Sequence, residues 1–552
     1  MPAPKSKSEV TRKTTISYLQ TLDPNNPPHP DVVTAELLNL IEQEFDLENA
    51  VKTKGRKWDI PTTLLPAQIA DILNYLHPIC KISCAGTNAN SEYDLLALYQ
   101  PDGPDEGIYV TDEDTFYQLS RQYNYYMTTK DFNEIMKILK GMVSRKQRCL
   151  DKDLIAVNNG IFDYKTKTLL PFSPDLVFLT KSRVNYITNP VNPLIHNPDD
   201  NTDWDIESWM SDLSDDPEIV ETLWQILGAI IRPNVRWNKS AWFYSETGNN
   251  GKGTLCELMR NLCGDGSYAS ISIADFSKDF MLEPLTRASA VIVDENDVGT
   301  FIDRAANLKA VITNDVIQIN RKFKTPIAYQ FYGFMVQCLN EFPRIRDRSD
   351  SFYRRQLFIP FDKCFTGRER TYIKNDYLHR PAVLEYVLHK VLHMDYYKLN
   401  EPEACKAVLN EYKEFNDPIR QFFEEISEQL IWDLVPFTFL YELYKAWYRK
   451  NAPCGSPQSR NTFINDILNV LSSNNDWYCD DKTKLVRIGD KMDKPEPLIV
   501  QYGLLDWQNP HYHGNDINQI CKPVLASGYR GIQRYTNTKT TTIIDEDDNT
   551  NS

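Results

Sequence analysis

The stretch Tyr244-Ser245-Glu246-Thr247-Gly248-Asn249-Asn250-Gly251-Lys252-Gly253-Thr254 constrains the fold more than any other part of the chain. It is a glycine-bearing turn between two apolar segments of different period. Ala241-Trp242-Phe243-Tyr244 before it is a continuous apolar run suited to a buried strand, and Leu255, Leu258, Met259 and Leu262 after it recur at helical spacing. The unit predicted is strand, turn, helix, the repeating piece of an α/β fold. At such a helix N-terminus the free backbone N–H groups and the helix dipole favour an anion. Gly248 and Gly251 let the backbone approach that anion closely, and Lys252 adds a point charge. The stretch therefore predicts a nucleotide-phosphate site made by Gly248, Asn249, Asn250, Gly251, Lys252, Gly253 and Thr254, with ATP as the cofactor. Against the pattern G-x-x-x-x-G-K-[ST], Glu246 stands at the first glycine and Gly253 at the hydroxyl position, so Thr254 becomes the candidate Mg ligand. In isolation the loop also fits an ordinary Asn-Gly turn.

Its neighbours favour the first reading. Ala290-Val291-Ile292-Val293 ends in Asp294-Glu295, a central strand delivering two carboxylates to a sheet edge. Asp294 is the expected metal-side group and Glu295 the expected general base that polarises the attacking water. A third apolar run, Gly333 to Leu339, stops at Asn340, placed to orient that water, although an Asn before Glu-Phe-Pro also suits a turn. A fourth, Gln356-Leu357-Phe358-Ile359, follows Arg354-Arg355; either arginine could reach a neighbouring subunit's nucleotide, and a surface ion pair is the plainer alternative. Between the second and third runs, Ile317 and Ile319 alternate with polar residues ahead of Arg321, Lys322, Phe323 and Lys324. A hairpin with that tip has the charge and the ring face to grip single-stranded DNA, and equally fits a solvated basic turn.

In this order, P-loop with Asn-Gly-Lys, Asp-Glu strand, basic hairpin, strand ending in Asn-Glu-Phe-Pro, then Arg-Arg before an apolar strand, the chain resembles helicase superfamily 3. Within it, the chain is similar to the poxvirus and phage or plasmid primase-helicase branch. The likeness runs over roughly residues 150–490, including Ala156 to Asp163 and Pro436 to Tyr448. The resemblance implies an AAA+-like P-loop core in a homo-hexameric ring that hydrolyses ATP with Mg, translocates on single-stranded DNA and opens forked DNA. Carried over, Lys252, Thr254, Asp294, Glu295 and Asn340 act in cis, Arg354 or Arg355 in trans, and Lys322 tracks the DNA. It also implies a helical collar before the core and a winged helix after it, whose Arg449, Lys450 and Arg460 would position duplex phosphates.

The domain reading that follows is a flexible basic arm (residues 1–15) leading into a small helical segment to residue 80. An α+β lead-in domain (81–200), a helical collar (201–239), the ATPase core (240–400), a winged helix (401–490) and an extension ending in an acidic tail (491–552) complete it. For the winged helix the expected parts are three helices and a hairpin pairing Trp477-Tyr478-Cys479 with Leu485-Val486-Arg487. The net charge of −15 confines any nucleic-acid contact to a focused patch or bore. The longest strongly apolar stretch, Leu223 to Ile231, is far too short to span a bilayer, and residues 1–15 lack a signal-peptide core, so a bacterial host cytoplasm and no membrane are expected. Eleven cysteines show no C-x-x-C pairing and read as reduced thiols; His77, Cys80 and Cys84 are expected on a helix, as core. Asp112-Glu113-Asp114 reads as an acidic turn rather than a nucleotidyl-transfer site, so a separately encoded primase or polymerase is the expected partner. The alternative from another class is a DNA-binding initiator that uses nucleotide only as a switch, with a small-molecule kinase behind it.

Overall fold

Five parallel strands in the middle of the chain form the sheet that positions everything else: β1 (Ser240–Tyr244), β2 (Tyr268–Ala269), β3 (Ala290–Val293), β4 (Phe334–Leu339) and β5 (Gln356–Pro360). Their spatial order is β2-β3-β4-β1-β5. The computed structural model describes residues 6–52, 56–83, 94–302, 304–322, 324–345, 347, 349–451, 457–472 and 474–535. β1, β3, β4 and β5 are buried along their whole length, which is why their sequences are continuous apolar runs rather than alternations. The one amide in β4, Gln337, is fully buried and satisfied: it donates to the Ile271 carbonyl at 3.0 Å and accepts from Asn296 Nδ2 at 3.0 Å. From β1 the chain crosses to the β2 edge, and from β4 it passes β1 to the β5 edge. Connections therefore diverge beside β1, the kind of switch point where α/β sheets bind ligands outside the carboxyl ends of their strands.

Helix α1 (Lys252–Cys263) follows β1 directly. It starts at Gly251, φ 87°, and stops at Gly264, φ 81°, both in the positive-φ region where side chains are strained. Leu255, Leu258, Met259 and Leu262 are fully buried, in one core with the helices Pro217–Ile231 and Pro381–His393.

Ahead of the sheet lie the helices Lys7–Leu19, Pro30–Val51 and Pro66–Leu76, a four-stranded sheet, and the helices Glu113–Arg121 and Thr129–Met142. Three expectations are corrected here. Within the expected basic arm, residues 7 onward are helical: Ser6 Oγ caps Glu9 N at 3.2 Å, and Val10, Thr15, Tyr18 and Leu19 are buried. The face was hard to see because threonines fill part of it. Thr15, fully buried, is satisfied by donating to Thr11 O at 2.8 Å and accepting from Gln68 Nε2 at 3.1 Å. His77 and Cys80 are not helical, since the helix ends at Leu76 and Cys80 lies in the strand Ile79–Ile82; Cys84 falls outside the described residues. Asp112 is not a loose acidic turn but the N-cap of Glu113–Arg121, accepting from Thr115 N at 2.8 Å.

The chain divides into two compact units, Met1–Leu409 and Asn410–Ser552. In the second, the helices Pro418–Ser427, Phe437–Asn451 and Arg460–Leu471 pack around Trp432 and Trp477. The expected hairpin between 477–479 and 485–487 does not form. Trp477–Tyr478 instead pairs with Gly531–Arg534, which also pairs with Leu434–Pro436, and Val486–Arg487 pairs with Gly528–Tyr529. Gly531 permits this: a Cβ there would lie 2.1 Å from the Val435 carbonyl oxygen. No helix among the described residues is long and apolar enough to cross a membrane, and none of their His, Cys, Asp and Glu side chains cluster as a metal-holding group.

Candidate active site

Three neighbouring strands, β1, β4 and β3, end on the same edge of the sheet. β1 runs into the loop 245–251, β4 into Asn340 and β3 into Asp294-Glu295. The loop is shaped by its own side chains. Ser245 Oγ accepts from Thr247 N at 3.3 Å, Asn250 Nδ2 donates to Thr247 O at 2.6 Å, and Asn249 takes φ 54°. Glu246, in the place of a consensus glycine, is exposed and accepts from Tyr244 Oη at 3.1 Å. At Gly251 the φ of 87° would strain any side chain, and a Cβ there would also press on Leu213 Cδ2 at 2.7 Å. Beside this loop, at the amino end of α1, lies a cavity of about 780 Å3 lined on one side by Asn249, Asn250, Gly251, Gly253 and Thr254. Its size is within the range of small-molecule pockets, about 300–1,000 Å3, and Lys252, Asp294, Glu295 and Asn340 are not among the residues that line it.

One face of α1 carries the polar groups, because residues four apart stack along a helix. Lys252 Nζ donates to Asn340 Oδ1 at 3.0 Å and to the Ser245 carbonyl at 3.3 Å. It is only 5% exposed with no carboxylate beside it, and burial holds its ammonium below the ordinary lysine range. One turn on, Cys256 Sγ meets Cys338 Sγ at 3.4 Å, both thiols buried and free. A further turn on, Arg260 pairs with Asp294 Oδ1 at 2.9 Å and with Glu257 at 3.3 Å. Desolvation alone would raise the Asp294 carboxyl, but the Arg260 hydrogen bond and charge outweigh it and hold the group below the usual carboxylate range. Glu295 is exposed, and the next residue, Asn296, is buried and pins the loop: it donates to Cys338 O at 3.0 Å and accepts from Ile273 N at 2.9 Å. Lys252, Asn340, Thr254 and Asp294-Glu295 thus come to one edge. The types of donor present, loop amides, a lysine, a threonine hydroxyl and a carboxylate, are those a phosphate and a divalent cation take, although Asp294 is here engaged by Arg260 and of these side chains Thr254 alone lines the cavity.

The arginine pair lies elsewhere. Arg354 and Arg355 precede β5, whose strand runs parallel to β1, so they sit at the amino edge, about 16 Å along the strand from the loop's edge. Arg354 is exposed, whereas the Arg355 guanidinium is tied to Ser351, to its carbonyl and to Oγ at 2.8 Å. The basic hairpin is present as Val316–Arg321 and Lys324–Gln330, with Ile317 and Ile319 buried. Lys322 is exposed at its tip, and Arg321 Nη2 donates to Thr325 O at 3.1 Å. Phe323 and the Lys324 side chain fall outside the described residues. In the second unit, Arg449 and Lys450 are exposed at the end of Phe437–Asn451, and Arg460 is exposed at the start of Arg460–Leu471.

Sequence reasoning missed Arg260, Asn296 and the segment after β5. The i, i+4, i+8 spacing of Lys252, Cys256 and Arg260 was a readable signal for the first. Nothing local marks the third, which reaches the loop only by tertiary contact: Phe365 N donates to Asn249 O at 2.7 Å and Asn249 Nδ2 to Glu369 Oε1 at 2.9 Å.

Strand order and site together define a mixed α/β protein with a glycine-bearing loop between strand and helix at the carboxyl edge of a parallel sheet. Residues 92–227 match the family described as "D5 N terminal like" and residues 414–503 the family "Poxvirus D5 protein-like", so the segments flanking the sheet are D5-like. Residues 243–355, which contain the loop, match a family of unknown function, DUF5906. No curated protein matches the chain. Among solved structures, the apo C-terminal region of NrS-1 is similar at 15% identity and a TM-score of 0.40, over 77% of this chain and 97% of that one. Its A form gives 13% and 0.41 over 80% and 91%.

Proposed function

We propose that this chain is a D5-like replication enzyme, an ATP-hydrolysing DNA helicase that works as a homo-hexameric ring on single-stranded and forked DNA. The observation that carries the reading is the Lys252 Nζ to Asn340 Oδ1 contact of 3.0 Å at the ends of adjacent strands, with Asp294-Glu295 ending the next. A strand bearing a polar sensor between the loop strand and the acidic strand is the arrangement expected of an AAA+-like core. Lys252 and the loop bind and orient the phosphates, Thr254 and Asp294 would hold Mg, Glu295 accepts the proton of the attacking water, and Asn340 orients that water. Bound Mg–ATP supplies the phosphoanhydride whose cleavage drives the motor. Because Arg354 and Arg355 stand at the opposite edge of their own sheet, either can serve only a neighbour's nucleotide, and exposed Arg354 is the better placed. Lys322 tracks the DNA strand. The order helix, strand, helix, helix, strand, strand from 418 to 487 supports a winged helix that positions duplex phosphate through Arg449, Lys450 and Arg460.

The test is ATP hydrolysis with strand displacement on forked DNA. Lys252→Ala is expected to abolish both; wild-type turnover in that variant removes the assignment. Hydrolysis without any displacement would favour the nucleotide-switched initiator instead.

A further inference from the structure

The second wall of the cavity beside the loop is the segment 363–375, which carries four cations, Lys363, Arg368, Arg370 and Lys374. Lys363 is occupied by Asp215 at 2.8 Å. Among the described residues the side chains of the other three make no hydrogen bond or ion pair. The lining carboxylates are Asp212 and Glu369, and Glu369 is taken up by Asn249 Nδ2 and by Gly367 N, each at 2.9 Å. Arg370 and Lys374 act on carboxylates only at longer range, on Asp200 and Asp294, so a polyanion between this wall and the loop would meet cations with no close counter-charge.

Lys374 is the most specifically placed of them. A Cβ built on Gly253 would meet only its Nζ, at 3.9 Å, with nothing else within 4 Å. Gly253 is the position where the P-loop consensus has a serine or threonine, so the ammonium stands over the place from which a hydroxyl would point. Lys374 is partly buried, and its charge is felt at Asp294.

We propose that Lys374, flanked by Arg368 and Arg370 in the cavity that the loop also lines, is a second cis-acting cation, besides the buried Lys252 beneath the loop, for the β- and γ-phosphates of a nucleoside triphosphate, and that the bare Gly253 leaves the approach to its ammonium open. This deepens the ATP-site reading and rests on it. The clamp selects for phosphate number: a triphosphate spans both cations, whereas a monophosphate does not reach the second.

Equilibrium binding of fluorescent ATP and AMP analogues to the full chain, with and without Mg, tests it. Lys374→Met is expected to weaken ATP about tenfold, the loss of one charge-assisted contact, with AMP unchanged and Lys374→Arg largely restoring affinity. Gly253→Leu, which places an apolar side chain against the ammonium while keeping the lysine, is expected to reproduce the loss; thermal melts confirm that each variant is folded. Wild-type ATP affinity in Lys374→Met, or an equal loss for AMP, overturns the proposal. If the wild-type chain binds no ATP, or Lys252→Ala binds it normally, the ATP-site reading itself falls, and the clamp with it.

Discussion

Lys252, the proposed phosphate-binding lysine, is held in the fold at a cost. Its ammonium is buried against two neutral oxygens, so the charged form is disfavoured in the fold and its folded pKa lies below the unfolded value. Between that lowered value and about 10.4 the unfolded chain holds more protons, so the stability of the empty protein rises with pH across that window. Lys252→Met should therefore melt at a higher temperature than the wild type without nucleotide, by about 0.5–2 kcal/mol of stability, with the difference shrinking as pH rises through the window and with no stabilisation by added ATP. Thermal melts across pH with and without Mg–ATP read all three effects. The place of Lys252 at the head of a helix was legible from Gly-Lys beside an apolar strand. Its partner Asn340 was legible only as the end of another run, because what joins them is the pairing of β1 with β4.

Elements with strong local patterns match their expected places: β1, β3, β4 and β5 were continuous apolar runs, and α1 carried its core residues at helical spacing. Weak patterns did not reveal themselves. The Lys7–Leu19 helix buries threonines, and the two-residue strands Trp477–Tyr478 and Val486–Arg487 choose partners by what lies beside them in space. In the second unit that partner is the segment 528–534, held close by Gly531. Gly531→Ala should force the strands Leu434–Pro436 and Gly531–Arg534 apart and cost about 2–4 kcal/mol, as a steric and ladder defect in a core. Chemical denaturation followed by the fluorescence of Trp432 and Trp477 would show the lowered midpoint, whereas an unchanged midpoint would mean that this strand adds nothing to the unit.

For the whole molecule the decisive geometry is that β1 and β5 run the same way. A loop after one and an arginine pair before the other cannot meet in one copy, so the proposed motor requires neighbouring copies to complete each site. Mixing Glu295→Gln chains with Arg354→Ala chains should recover part of the hydrolysis that each lacks alone. Recovery at no mixing ratio would count against shared sites. Lys322→Ala should leave basal hydrolysis near the wild-type rate and slow strand displacement, about as expected for one lost phosphate contact, and its effect should fade as salt is raised. Equal unwinding by that variant would release Lys322 from the tracking role.

The linear order of residues determined on its own where the sheet strands lie, that a glycine-lysine turn feeds a helix, and that carboxylates and an asparagine terminate later strands. These follow from local periodicity and from backbone demands that only certain residues meet. Tertiary structure alone decided that Arg260 holds Asp294, that the segment after β5 closes over the loop with Lys374 above Gly253, and that residues 528–534 complete the second unit. Those contacts join positions far apart in the chain through side chains whose own neighbours in sequence carry no pattern, so they exist only once the sheet has set the distances.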